Sequence, residues 1–288
     1  MDDDFYSRQT PYSDPGELDI SGLPSDPRGL ALVVRNVMIH QGDGRRLGYA
    51  IPEERLREDA ESRYVTEILR VLRERRDAPL TEARKPEERF VGTCRDFALL
   101  HVSLLRATGT PARVRGGFGT YFVDGFHEDH WVSEYRLPDG SWRLVDPQVL
   151  HPAYGDLGFD PLDVPRDRFL VAGDAWRACR GGAADPGTFG FWSDGALRGM
   201  WFVRGSLVLD LACRGGVETL PWDGWEPLAG FGDVSLSDGD LALLDAVAAA
   251  HTDEDVRRLC AQPRLAPPRE ILSKSPSFGL REVTLPRH

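Results

Sequence analysis

Three side chains in this sequence carry the chemistry of nucleophilic acyl transfer: Cys94, His130 and Asp146. A thiolate attacks a carbonyl, an imidazole moves the proton, and a carboxylate fixes the imidazole tautomer. Cys94 opens the run Thr93-Cys94-Arg95-Asp96, followed by Phe97 to Ala107, which is apolar on nearly all sides. The Thr-x-x-Asp start is a capping pattern, and Gly109 with Pro111 beyond it is a stop signal. The spacing predicts a buried core helix with Cys94 at its first position. There the unpaired N–H groups and the positive end of the helix dipole favour the thiolate. A lone cysteine would read as a small buried hydrophobe, but Cys94 has company downstream.

The elements that must position its partners are strands. Ala112 to Phe118 reads as one strand, entering Gly116, Gly117 and Gly119. His130 to Tyr135 alternates as a second, and Trp142 to Asp146, ended by Pro147, as a third. The loop Leu137-Pro138-Asp139-Gly140 joins the last two. With three to five loop residues the expected register sets His130 directly opposite Asp146. One imidazole nitrogen then meets the acid while the other faces Cys94.

Four blocks together resemble a known family: Gly92-Thr93-Cys94-Arg95-Asp96-Phe97-Ala98, the stretch from Leu105 to Phe118, His130-Trp131-Val132-Ser133-Glu134-Tyr135, and Trp142 to Pro147. Their order, and the sixteen residues from His130 to Asp146, are similar to the transglutaminase-like superfamily of papain-like cysteine enzymes. The resemblance implies an α+β fold with a catalytic helix packed on an antiparallel sheet, flanked by helical N-terminal and mixed C-terminal extensions. It also implies Cys94 as nucleophile, His130 as general base and then acid, and Asp146 as the orienting carboxylate. The stretch from Pro161 through Trp176 resembles the segment that bacterial members carry after this core. Animal members use a Trp upstream of the cysteine as an oxyanion donor, whereas the first Trp here is Trp131. The candidate donors are the Cys94 backbone N–H and the side-chain amides of Asn36 or Gln41. The run Asp233-x-Ser235-x-Ser237 lacks the Gly and Glu of a calcium loop, so neither metal nor cofactor is expected.

Other polar residues have plainer readings. His101 lies seven residues after Cys94, about 10.5 Å along the helix, and reads as a satisfied core histidine. His127 rivals His130, but no further Cys or His pair completes a zinc set with His127, Glu128, Asp129 and His130. Glu128 and Asp129 are expected to raise the basicity of His130. Arg95 and Asp96 read as helix-end groups. Glu134 either touches the site or pairs with an arginine. Cys179, Cys213 and Cys260 lack a matching histidine and acid and read as inert.

The chain has 288 residues, with 46 acidic against 35 basic side chains and a net charge of −11. That balance argues against a nucleic-acid-binding protein, since phosphate backbones require a basic surface. No apolar leader or spanning segment is visible, and the four cysteines form no close pair. A cytoplasmic protein without membrane attachment is expected. Three regions are predicted: an acidic, solvated arm over 1–28, a catalytic core over 29–165, and an extension over 166–288 packed on that core. Residues 53–76 have the spacing of one amphipathic helix, Ser237 and Asp240 cap another, and Asp253 to Cys260 forms a third. The last 25 residues are Pro-rich and are expected to lie over the surface. The pentapeptide Ala-Cys-Arg-Gly-Gly occurs at 178–182 and 212–216, which fits two glycine-ended helices or chance.

These readings leave two functional classes. One is acyl transfer onto water or an amine from a peptide, protein or acyl-thioester substrate. The other is a non-catalytic peptide- or protein-binding module that keeps the same fold.

Overall fold

The computed structural model describes residues 5–286. The first four residues of the expected arm and the last two of the tail lie outside them. The fold is α+β, and the chain divides into two compact units: residues 1–114 with 132–164, and residues 115–131 with 165–288.

The first unit is built around a buried helix. Its elements are α1 (Pro27–Val37), β1 (Met38–His40), α2 (Glu53–Glu58), α3 (Val65–Arg75), β2 (Phe90–Gly92), α4 (Cys94–Ala107), β3 (Ala112–Gly119), β4 (His127–Arg136) and β5 (Trp142–Val145). Strands β3 and β4 cross into the second unit at Arg115 and Trp131. Within the first unit the strand order is β5-β4-β3, while β1 and β2 form a separate parallel pair. Helix α4 is buried from Cys94 through Arg106, as an all-round apolar run requires.

Residues 53–76 are not one helix. The chain breaks between α2 and α3 because Asp59, 4% exposed, turns inward to Arg75 and the Val91 N–H. Tyr64 is extended (φ −115°, ψ 141°), which no helix interior allows. The solvated arm is also corrected for the stretch from Tyr6 to Ser13. Tyr6 and Tyr12 are 1% and 0% exposed, Arg106 donates to Ser13 Oγ at 2.8 Å, and Gln9 Nε2 donates to the Ser103 carbonyl at 2.9 Å. A few aromatic and hydroxyl anchors outweigh an acidic average composition, because burial acts on individual side chains.

The hairpin register differs from expectation by two. Ser133 pairs with Val145 and Arg136 with Trp142, so Asp146 falls across from Val132 rather than His130. The turn is centred on Asp139. Pro138 supplies its fixed φ, Gly140 N–H donates to Leu137 O at 2.9 Å, and Gly140 takes φ +86°. Only glycine adopts that conformation cheaply, so Gly140 selects the turn and the turn selects the register. Since side chains alternate with period two, a shift of two leaves every residue on its expected face.

The second unit adds β6 (Phe169–Val171), α5 (Ala172–Arg180), β7 (Phe189–Gly190), α6 (Met200–Arg214), β8 (Asp223–Gly224), α7 (Asp238–Ala248), α8 (Asp253–Cys260), β9 (Glu270–Ser275) and β10 (Gly279–Thr284). Its part of the sheet runs β4-β3-β6, with β7 parallel to the start of β4. Helix α6 packs against α5, α7 and α8. Its Asp210 receives Arg115 in two bonds of 2.9 Å and the Gly116 N–H at 2.9 Å, tying α6 to β3. Both copies of Ala-Cys-Arg-Gly-Gly end a helix. Ala183 N–H reaches Ala178 O and Val217 N–H reaches Ala212 O, with Gly182 at φ +74° and Gly216 at φ +86°, the glycine-ended cap of α5 and α6. The Pro-rich tail forms the β9–β10 hairpin, with Ile271, Ser273 and Ser275 turned inward. Among the described residues no helix is long and apolar enough to cross a membrane.

Candidate active site

Cys94 occupies the first turn of α4 and is 9% exposed. The Asp96 carboxylate accepts the Thr93 N–H at 2.8 Å and the Thr93 hydroxyl at 3.0 Å, closing the predicted cap. Arg95 runs inward, donating to Asp96 at 2.9 Å, to Arg63 O at 2.7 Å and to Ser62 O at 3.3 Å. Both residues are fully buried, so their role is to hold the helix start in place.

Strand β2 delivers the chain into Thr93 and Cys94, and its parallel neighbour β1 delivers Gln41. The Gln41 N–H donates to Gly92 O at 2.9 Å, two residues before the cysteine, and its side chain is exposed. Asn36, the other amide candidate, lies on the exposed face of α1.

Asp146 is fully buried immediately after β5. Its Oδ1 accepts the Gln148 N–H at 3.1 Å, and its own N–H donates to Pro161 O at 2.8 Å. From Gln148 a polar chain continues outward. Gln148 Nε2 donates to the Tyr154 hydroxyl at 2.8 Å, and that hydroxyl lies 2.8 and 2.9 Å from the two oxygens of Asp43. Sequence reasoning missed this chain because Asp43 and Tyr154 are 111 positions apart.

In the second unit His130, 2% exposed, is walled by aromatic rings. Phe122 stands at 4.7 Å between centroids, Tyr121 at 5.9 Å and Phe169 at 6.2 Å, all edge-on. These three were also missed. Their one local signal is the Tyr-Phe pair directly after Gly119-Thr120. His127, the rival, stacks flat on Phe189 at 3.9 Å, and burial depresses its basicity. Glu128 accepts the Trp192 N–H at 2.9 Å and lies within electrostatic range of His130. The expectation that Asp129 adds a second negative charge there is corrected. Burial, reinforced by repulsion from Glu128, pushes its carboxyl up to about 8, so it is protonated at neutral pH.

The remaining polar residues sort as structural. His101 is fully buried, with Nδ1 2.7 Å from Ser133 Oγ and Nε2 3.1 Å from Pro27 O. Glu134 pairs with Arg113 at 2.7 Å, whose guanidinium lies 3.8 Å over the Trp142 ring. Burial pushes the Cys179 and Cys260 thiols up to about 11, which makes them weak nucleophiles near neutral pH. Among the described residues no group of three or more His, Cys, Asp or Glu side chains is placed to hold a metal ion.

Among solved structures, the chain is similar to a candidate cysteine protease from Cytophaga hutchinsonii, at 16% identity and a TM-score of 0.32. That likeness covers 59% of this chain and 47% of that one, so this chain spans less than half of that protein, and it is too slight to carry a role across. No curated protein matches the chain. The model of the transglutaminase-like superfamily matches residues 54–147, a span that contains Cys94, His130 and Asp146. The chain is thus a protein with a transglutaminase-like domain.

Proposed function

We propose that this protein is a cysteine-dependent acyl-transfer enzyme acting on an amide or thioester carbonyl of a peptide, protein or acyl-thioester substrate. Cys94 is the nucleophile, His130 the general base and then acid, and Asp146 the carboxylate that orients the imidazole. The observation that carries this reading is the setting of Cys94: the first residue of a capped, buried helix, inside the matched domain. The helix N-terminus stabilises the thiolate.

In the first step the Cys94 sulfur bonds to the carbonyl carbon, and His130, holding the thiol proton, passes it to the leaving amine or thiol. The product is a thioester on Cys94. Water or an amine then gives up a proton to His130 and takes the acyl group, so the same three residues serve hydrolysis and transfer. The Cys94 N–H is one oxyanion donor. Gln41 is the better supported side-chain donor, since its backbone N–H is bonded to Gly92 O, two residues before Cys94. All four cysteines are free, which fits a reducing compartment, here the bacterial cytoplasm.

The test is the pH dependence of Cys94 alkylation by iodoacetamide in wild-type, His130→Ala and Cys94→Ala proteins, the last subtracting the other thiols. The expected result is fast modification at about pH 6 that is lost in His130→Ala. A profile rising only near the free-cysteine value of about 8.5, indifferent to His130, would overturn the proposal and favour a non-catalytic binding module.

A further inference from the structure

Arg35, on α1 in the first unit, is 3% exposed, and its Nη1 donates to Met38 O at 3.0 Å. Its Nε and Nη2 have no partner, and among the described residues no other side chain leaves two buried polar atoms unpaired. These two nitrogens form the edge of the guanidinium that receives a carboxylate side-on in paired hydrogen bonds. Burial pushes the group down to about 10, so it is still cationic at neutral pH.

The surroundings do not neutralise it. Arg89 and Arg46 lie within electrostatic range, and among the described residues the carboxylate acting on Arg35 is Asp43. That carboxylate is already engaged by the Tyr154 hydroxyl and by Arg46 at 3.3 Å. His151 lies within electrostatic range of Arg35, its Nδ1 accepting the Ala153 N–H. Gln148, 4% exposed and bonded to Tyr154, leaves its Oε1 unpartnered as well. The cluster reaches solvent at Arg46, whose side chain is 43% exposed and whose guanidinium lies 4.0 Å over the Tyr154 ring. A buried cation of this kind is expensive unless a partner meets it.

We propose that the Nε/Nη2 edge of Arg35 anchors a carboxylate-binding site entered past Arg46, with Gln148 Oε1 accepting an N–H carried on the carbon beside that carboxylate. The ligand chemistry is that of an amino acid or a peptide C-terminus. Gln148 also donates its backbone N–H to Asp146. On the reading above, the site therefore holds the carboxyl end of a substrate. Binding itself requires nothing of Cys94.

The experiment is a titration of the full-length protein followed through its arginine Nε–H resonances, at constant ionic strength, with glycine, N-acetylglycine, acetate and sulfate. The Arg35 signal is assigned from Arg35→Lys or, if that variant does not fold, by through-bond connectivity in the wild type. The expected result is a saturating shift of the Arg35 signal with a Kd of about 1–10 mM, weaker for acetate, which lacks the N–H, and unchanged in Cys94→Ala. Saturation by glycine identifies a free amino acid, and saturation by N-acetylglycine a peptide C-terminus; either supports the proposal. No movement up to about 50 mM, or the same movement with sulfate, meaning an adventitious ion only, overturns it. Because Cys94→Ala is expected to bind normally, this outcome is independent of the alkylation test.

Discussion

Arg75 grips both carboxylate oxygens of Asp59, at 2.6 and 2.7 Å, while the same carboxylate accepts the Val91 N–H at 2.8 Å. One buried acid therefore ties the end of α2 and the end of α3 to β2, whose Val91 is three residues upstream of Cys94. Asp59→Ala leaves Arg75, 19% exposed, without its counter-charge, and should cost about 3–5 kcal/mol in urea unfolding. Replacing both partners by Leu and Met should recover most of that loss. Equal losses in the single and double variants would contradict a coupled pair.

Asp129 predicts a stability trend with pH. Its carboxyl is raised from 3.8 to about 8 in the folded chain. The native state thus binds a proton that the unfolded state releases, and stability falls as pH rises from about 4 through 8. In Asp129→Asn that penalty is gone. The difference in Tm between variant and wild type should grow over this interval and level off above it. A difference independent of pH would show that Asp129 ionises normally.

His101 gives the opposite sign. Burial lowers it from 6.5 to about 4, so its neutral form stabilises the fold fully above pH 6.5, and that contribution is lost as pH falls toward 4. His101→Leu removes the donor to Pro27 O and should cost about 1–3 kcal/mol at pH 7. It should also flatten the acid limb of the stability curve between pH 6.5 and 4. A parallel downward displacement of the whole curve would contradict this assignment.

Gly117 sits where β3 meets β6. A Cβ there would come 2.2 Å from Leu170 O and 2.9 Å from Val171 Cα, both backbone, so the strand must shift. Gly117→Ala should destabilise the protein by about 1–3 kcal/mol. Since β6 carries the Phe169 ring facing His130, the aromatic proton shifts of His130 should move as well. An unperturbed His130 spectrum would show that β6 does not set its surroundings.

The features that could be read directly from the sequence were local. The Thr93–Asp96 and Ser237–Asp240 caps and the glycine ends after Arg180 and Arg214 involve residues within a few positions of one another. The chain spells these interactions out before it folds. The hairpin was nearly legible: its strands and their faces were, but its register turned on the positive φ of Gly140.

Tertiary structure decided the rest. Asp59 and Val91 are 32 positions apart, Arg113 and Tyr6 are 107, and Arg115 and Asp210 are 95. The break in residues 53–76, the anchoring of Tyr6 and Tyr12, and the Asp146–Gln148–Tyr154–Asp43 chain all depend on partners of this kind. A side chain's neighbours along the sequence set its backbone preferences and its cap. Burial and ion pairing are set by whatever folding brings against it, and a charged residue reads the same in sequence whether it meets water or a buried carboxylate.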